Sequence, residues 1–220
     1  MVGKRKYDDG CAIAQALDVI GERWALLVVR ELVLGPKRFT DLLGGLPGVS
    51  SDVLTQRLRD LSTAGVVRRR RLGPPAGAWV YELTEWGAEL EGIILELAQW
   101  LHRSPLMRYD LPVGPDSLML SLKTRFHGPS ADGVSATIGL HFGEVHFVVR
   151  IVDSRLTINR GDADNPDLVL DTDEATFLLL LDPDGSVDDT LSTGRLRLSG
   201  DKALAEQLSG LFPLARSGDS

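Results

Sequence analysis

Ser51, Thr55, Gln56 and Arg59 recur at three- and four-residue steps within the run 51–61. On a helix such steps bring side chains to one side. A Gln amide can pair bidentately with adenine, and an Arg guanidinium with guanine or a phosphate. These four side chains therefore suit the base edges of a major groove roughly 12 Å wide. Further cationic groups flank them. Lys37 and Arg38 precede the short apolar run 39–43 and are placed to touch phosphates, while Arg68, Arg69, Arg70 and Arg71 follow two valines. Alternate residues of a strand face opposite ways, so only part of that run is expected on nucleic acid. Arg69 and Arg71 are the candidates. The plainer alternatives are a solvated strand face for the arginines and a solvated helix face for Gln56 and Arg59.

Other chemistries find little support. No nucleophile–base arrangement, phosphate loop or calcium-loop spacing occurs, so no catalytic residue and no cofactor are expected. The one cysteine, Cys11, excludes an intramolecular disulfide and a multi-cysteine metal centre. The four histidines are scattered. His141 and His146 stand five apart around Gly143, which is not a helical metal pair, so they read as ordinary strand or turn residues and no metal site is expected.

The elements around the polar run follow from periodicity. Residues 11–20 and 24–34 carry apolar residues at helical spacing, the second stopped by Gly35-Pro36. Residues 39–43 predict a short helix, and Ser50 or Ser51 caps the next one. There Val53, Leu54, Leu58 and Leu61 are expected to face inward. Val66–Leu72 and Trp79–Leu83 predict a β-hairpin, whose Pro74-Pro75 tip cannot extend a ladder. Thr84 should cap a long helix over 85–103, with Leu90, Ile93, Ile94, Leu97, Trp100 and Leu101 as a coiled-coil-like seam. Trp24, Phe39, Trp79, Tyr81 and Trp86 are expected in the core. The order helix, turn, helix, hairpin is that of a winged helix-turn-helix.

Breakers over 104–114 predict a domain boundary. We expect a first domain over 1–107 and a second over 113–220. In the latter, 118–124, 135–142, 144–152, 155–160, 168–171 and 195–199 read as strands. Residues 173–181 and 201–211 read as helices, 182–189 as an acidic loop, and the tail from Ala215 as frayed. The fold class is α+β.

The chain has 220 residues and a net charge of −7. That average hides a division. Residues 1–107 carry 14 Lys/Arg against 13 Asp/Glu, and residues 108–220 carry 10 against 18. Within 36–72 eight basic residues face three acidic ones. A local basic patch, not a chain average, attracts phosphate. No apolar run approaches the roughly 18–20 residues of a membrane span, and Met1–Asp9 lacks a secretory core, so a cytoplasmic protein with no membrane partner is expected.

Cys11, Trp24-Ala25-Leu26-Leu27, Arg38-Phe39-Thr40-Asp41-Leu42, Val49-Ser50, Leu54-Thr55-Gln56-Arg57-Leu58, Leu61, Gly65-Val66-Val67-Arg68-Arg69, Tyr81-Glu82-Leu83-Thr84, Gly87 and Trp100 together resemble the HxlR-type winged helix-turn-helix regulators. The resemblance covers about residues 10–103. It implies a transcriptional regulator acting as a homodimer on an inverted repeat of double-stranded DNA, with the first and last helices of the domain at the interface. Two departures stand out: Asp41 where the family usually has Glu, and a longer, less polar wing tip. Some members sense reactive species through a cysteine near the position of Cys11. Here a buried interface residue is the alternative, and any disulfide would have to link subunits.

The second half is similar to sterol carrier protein type 2-like domains, through Asp167-Leu168-Val169-Leu170, the helix at 173–181, and Gly194–Asp201 with its following helix. That implies a sheet-and-helix domain holding a small apolar effector, with Phe177, Leu181, Leu208 and Phe212 as lining candidates, or simply as core. The competing overall reading is an apolar-ligand carrier whose winged domain only dimerises.

Overall fold

The computed structural model describes residues 6–73, 77–108 and 110–213. The expected wing tip at 74–76, the tail from 215, and Lys4 and Arg5 near Cys11 lie outside the described residues. The chain forms two compact units, Met1–Glu96 and Leu97–Ser220.

The first unit contains α1 (Ala12–Ile20), α2 (Ala25–Val33), α3 (Phe39–Gly45), α4 (Ser51–Thr63), β1 (Val67–Arg71), β2 (Trp79–Leu83) and α5 (Glu85–Ala88). It is followed by α6 (Leu90–His102), which runs on past Glu96. Its core is a single cluster. Val28, Val29 and Leu32 of α2, Leu42 of α3, and Leu54, Leu58 and Leu61 of α4 pack with Val66 and Val67, each at most 2% exposed. Leu54, Leu58 and Leu61 lie on one side of α4, as their spacing requires. Val53 does not join them. It is 40% exposed, because the i−1 position of Leu54 falls a full 100° round the helix.

The long helix expected over 85–103 is two helices. Thr84 caps the first, its hydroxyl accepting from Gly87 N (3.0 Å) and donating to Gly65 O (2.6 Å). That second bond ties the start of α5 to the end of the α4 region. Lys37 extends the wing. Its backbone exchanges two hydrogen bonds with Tyr81, at 3.0 and 2.8 Å, making a one-residue third strand beside β2.

The second unit contains α7 (Pro115–Arg125), a 3-10 turn (Gly128–Ala131), β3 (Ala136–Phe142), β4 (Val145–Val152), β5 (Arg155–Arg160), β6 (Leu168–Asp171), α8 (Glu174–Leu180), α9 (Val187–Ser192), β7 (Arg197–Gly200), α10 (Lys202–Glu206) and α11 (Leu208–Leu211). The sheet order is β5-β4-β3-β6-β7, with β3 and β6 parallel and the other neighbours antiparallel. Ile138, Leu140, Phe147, Val149, Ile151, Ile158, Leu168 and Leu170 are buried on one face. Thr137, His141, His146, Arg150, Asp171 and Arg197 alternate onto the other.

Three expectations change here. Residues 118–124 are not a strand but most of α7, with Gly114 as N-cap and Pro115 at the first turn. Leu118, Leu120 and Leu122 imitate a strand's alternation, but Met119 between them is buried too, as a helix enclosed on more than one side allows. The acidic stretch 182–189 runs into a helix, α9, whose N-cap Ser186 accepts from Asp189 N at 3.1 Å. The final helix divides into α10 and α11.

Candidate nucleic-acid interface

The first unit presents one exposed polar helix face and one cationic hairpin. On α4, the Ser50 hydroxyl accepts from Val53 N (3.3 Å) and fixes the first turn. Ser51, Asp52, Thr55, Gln56 and Arg59 are all exposed. Asp60 organises part of this face, accepting from Gln56 Nε2 at 2.7 Å and from Arg57 Nη1 at 3.2 Å. Gln56 is therefore oriented before any partner arrives, while the guanidinium of Arg59 stands in solvent.

On the hairpin the four arginines divide by parity, as a pleated strand demands. Arg68 faces Glu82 across the ladder. Its Nε donates to Glu82 at 2.7 Å, and Arg70 Nε donates to the other carboxylate oxygen at 2.5 Å. Burial pushes the Glu82 carboxyl up, but the hydrogen bonds and charges of Arg70 and Arg68 outweigh it and hold the group below its ordinary value. Arg69 faces the other way. Its guanidinium lies 4.6 Å from the centroid of Trp79 and 5.9 Å from that of Tyr81. Arg71 donates to Gly77 O at 3.0 Å. An open cavity of about 500 Å³ lies between the start of α3 (Arg38, Phe39, Thr40) and the Arg69, Trp79 and Tyr81 side chains. Arg38 and Arg69, far apart in sequence, thus line one concavity.

Lys37 is turned away from this surface. Only 5% exposed, it places its ammonium 2.5 Å from Glu31, which is itself 2% exposed. Arg30 reaches the same carboxylate, at 2.7 Å from Nη2 and 3.1 Å from Nε. The expected phosphate contact is instead part of an internal ionic cluster, its ammonium held by the buried Glu31 of α2. Gly45 closes the cluster from α3: a Cβ there would come within 2.1 Å of Glu31 Oε2. The core placement expected for Trp79 and Trp86 is also corrected. They are 52% and 54% exposed, since the strand's parity and the first turn of α5 put them outside. Sequence reasoning missed Glu82 and Asp60, the two carboxylates that position the basic and amide groups. The antiparallel pairing of 68 with 82, and the i,i+4 spacing of 56 and 60, were the available signals.

Cys11 is exposed at the N-cap of α1. Backbone hydrogen bonds from Ala14 and Ile13 lower its thiol below the ordinary value. Large apolar residues stand exposed on several helices, among them Ile13 (71%) and Leu17 on α1, and Ile93, Leu97 and Trp100 (62%) on α6.

In the second unit Phe177, Leu181, Leu208 and Phe212 are each 1% exposed. Phe177 packs edge-on to Phe142 and Phe212 against Phe126, with ring centroids 5.7 and 5.8 Å apart. A cavity of about 230 Å³ between the α9 start and α10–α11, bounded by Ser186, Asp188, Ala205 and Glu206, does not include these four. Among the described residues, His141, His146 and Asp162 group closely enough to hold a metal ion. No helix among the described residues is long and apolar enough to cross a membrane.

A family model described as HxlR-like helix-turn-helix matches residues 19–106, and one described as alkyl sulfatase C-terminal matches residues 112–217. The uncharacterized HTH-type transcriptional regulator YybR of Bacillus subtilis (strain 168) is 34% identical over 92 residues, spanning 42% of this chain and 74% of that protein. The HTH-type transcriptional regulator YodB of the same organism is 33% identical over 85 residues, spanning 39% and 76%. The solved structure of reduced YodB from B. subtilis is 30% identical and covers 44% of this chain and 95% of that one, with a TM-score of 0.40. A double mutant of the sec-alkyl sulfatase PisA1 is 18% identical and covers 47% of this chain and 17% of that one, with a TM-score of 0.42. The description matched by the second half is thus the alkyl sulfatase one, not the sterol-carrier one.

Proposed function

The chain belongs to the HxlR-like helix-turn-helix family, and from that premise we propose that it is a sequence-specific DNA-binding transcriptional regulator acting as a homodimer. The observation that carries the reading is the exposed polar face of α4 beside a hairpin bearing four arginines. Ser51, Thr55, Gln56 and Arg59 read base edges. Arg38, Arg69 and Arg71 hold phosphates or the edge of a minor groove, positioning without reading. Lys37 is left out of that set because it is buried. Support for dimerisation comes from the apolar side chains left exposed on α1 and, separately, along α6, since exposed apolar surface marks association sites. A two-fold arrangement places two copies of α4 on an inverted repeat, with half-sites about one helical turn (~34 Å) apart.

Residues 1–107 form the DNA-binding and dimerisation domain in this reading, and 113–220 a sensor domain. The sensor is a sheet with flanking helices whose family match is to the alkyl sulfatase C-terminal description. A small apolar effector would enter beside Phe177, Leu181, Leu208 and Phe212, displacing packing that now fills that core. Cys11 is a second candidate input, because it is exposed and its thiol is lowered. Solved relatives include a redox regulator, HypR, in oxidised form and a quinone-bound YodB.

In vitro selection from random duplex DNA tests the core of this reading. An enriched inverted repeat is expected. Arg59→Ala should relax preference at one position of each half-site, while Arg69→Ala should weaken all sequences alike. Recovery of no enriched motif, with equal affinity for random DNA at low salt, would overturn it.

A further inference from the structure

We propose that His141, His146 and Asp162 form a binding site for a first-row divalent transition cation, such as Zn²⁺, Co²⁺ or Ni²⁺, on the polar face of the C-terminal sheet. This site lies wholly in the second unit and does not rest on the DNA-binding reading.

The hairpin creates the pair. His141 of β3 and His146 of β4 are direct cross-strand partners, so both side chains leave the same face. The two-residue connection Gly143-Glu144, with Gly143 at φ +59°, sets that register. The rings lie stacked, with centroids 4.0 Å apart and planes 20° from parallel. A separation of five is wrong for one helix face and right for two strands joined by a tight turn.

Asp162 completes the group from the loop after β5. Its Oδ1 lies 2.6 Å from His146 Nδ1. The loop is anchored at the residue before it, where Gly161 N donates to the His146 carbonyl at 2.9 Å. One ligand atom from each of the three residues lies within 4.8 Å of the other two. Bonds of about 2.0–2.1 Å in a tetrahedral site place ligand atoms ~3.4 Å apart, so a modest inward shift completes the geometry. Asp162 is free to make that shift, its side chain being 79% exposed.

The surroundings match what a metal-bound histidine needs. His146 Nε2 is 3.0 Å from the Gly143 carbonyl. Donation there leaves Nδ1, on the Asp162 side, as the coordinating lone pair; metal-binding histidines commonly fix their tautomer in this way. The cation takes the lone pair of His146 Nδ1, so metal affinity falls at a pH where that nitrogen is protonated. The neighbouring Asp171 is engaged by Arg197 at 2.7 Å, which limits it as a competing ligand. Two imidazoles and one carboxylate favour zinc, cobalt or nickel over calcium and magnesium, which want more oxygens. Three protein ligands leave a position for water or a small donor.

The test is titration of tag-free, chelator-stripped full-length protein with Co²⁺, read by its visible absorption, and with Zn²⁺ by calorimetry. One ion per chain is expected. His141→Gln, His146→Gln and Asp162→Asn should each weaken binding by at least the roughly 10–100-fold that outer-shell partners alone supply. Cys11→Ser should bind as the parent does. Thermal melts of the variants without metal distinguish a lost site from a lost fold, and Asp162→Asn, at an exposed position, keeps the test decisive if a histidine variant misfolds. No stoichiometric binding, unchanged affinity in any of the three variants, or loss on Cys11→Ser overturns the proposal.

Discussion

Glu31→Gln should be among the most damaging single changes in the first unit, and more damaging than Lys37→Met. Glu31 is 2% exposed and its carboxylate answers two cations, Lys37 and Arg30. Removing one partner of a buried ion pair costs about 3–5 kcal/mol, because a buried charge loses its compensation. Gln retains an acceptor oxygen, so about 3 kcal/mol is expected. For a unit of this size each kcal/mol lowers Tm by roughly 4–8 °C, giving a fall of ~12–24 °C. Lys37→Met is milder. The Met side chain fills similar volume, and the carboxylate keeps Arg30, whose side chain is 22% exposed and partly solvated. The double variant should be less destabilised than the two singles combined, with a coupling of about 0.5–3 kcal/mol. Urea unfolding followed by tryptophan fluorescence is the assay, since Trp24, Trp79 and Trp86, three of the four tryptophans, lie in the first unit. Folded Lys37→Met should also keep the parent's salt dependence of DNA binding. A phosphate-bound lysine would reduce the slope of log affinity against log salt by about 0.9. A reduced slope, or Lys37→Met destabilising as much as Glu31→Gln, refutes the buried-hub account.

Four further outcomes are expected. Arg69→Ala should lower DNA affinity and its salt slope by about 0.9; Arg69→Lys should restore the slope but not the stacking on Trp79, worth ~0.5–1 kcal/mol, as fluorescence anisotropy across a salt series would reveal. The depressed Glu82 carboxyl contributes stability that is present above the ordinary Glu value and lost as pH falls through its lowered value, so Glu82→Gln should flatten the acid limb of stability against pH. The lowered Cys11 thiol should alkylate with a rate midpoint below that of a model thiol, measurable by iodoacetamide kinetics from pH 6 to about 10. Ser50→Ala removes the α4 cap and should cost about 1 kcal/mol in chemical denaturation.

The winged unit was largely legible because its signals are local and agree with one another. The three-four spacing of Leu54, Leu58 and Leu61, the Ser50 cap and the Gly35-Pro36 stop each specify the same elements. The parity of the arginine strand also followed from the pleat. Contacts across elements were not legible. Nothing near Lys37 announces that Glu31 waits beneath it, and Trp79 is as apolar in composition as any core residue. In the second unit, the period-two pattern of Leu118, Leu120 and Leu122 outweighed the Gly114-Pro115 helix start that should have corrected it. The His141–His146 pair required knowing which strands are neighbours. Spacing alone discards it, whereas register assembles it.

The parallel pairing of β3 with β6 has a kinetic consequence. Thr137 N meets Asp167 thirty residues away, and β7 joins the sheet only beyond that. Antiparallel β3, β4 and β5 can zip through short turns, but the β6 and β7 edge must wait for a long loop to close. On a ribosome the winged unit, complete by residue 96, emerges and folds first. The second unit meanwhile stays an open three-stranded sheet with β3 as its bare edge, hydrophobic on one face, until β6 arrives near residue 170, and β6 is then the edge until β7 arrives near residue 200. Slow synthesis or truncation in that window should expose a sticky, aggregation-prone intermediate, and chaperone dependence should belong to this half of the chain.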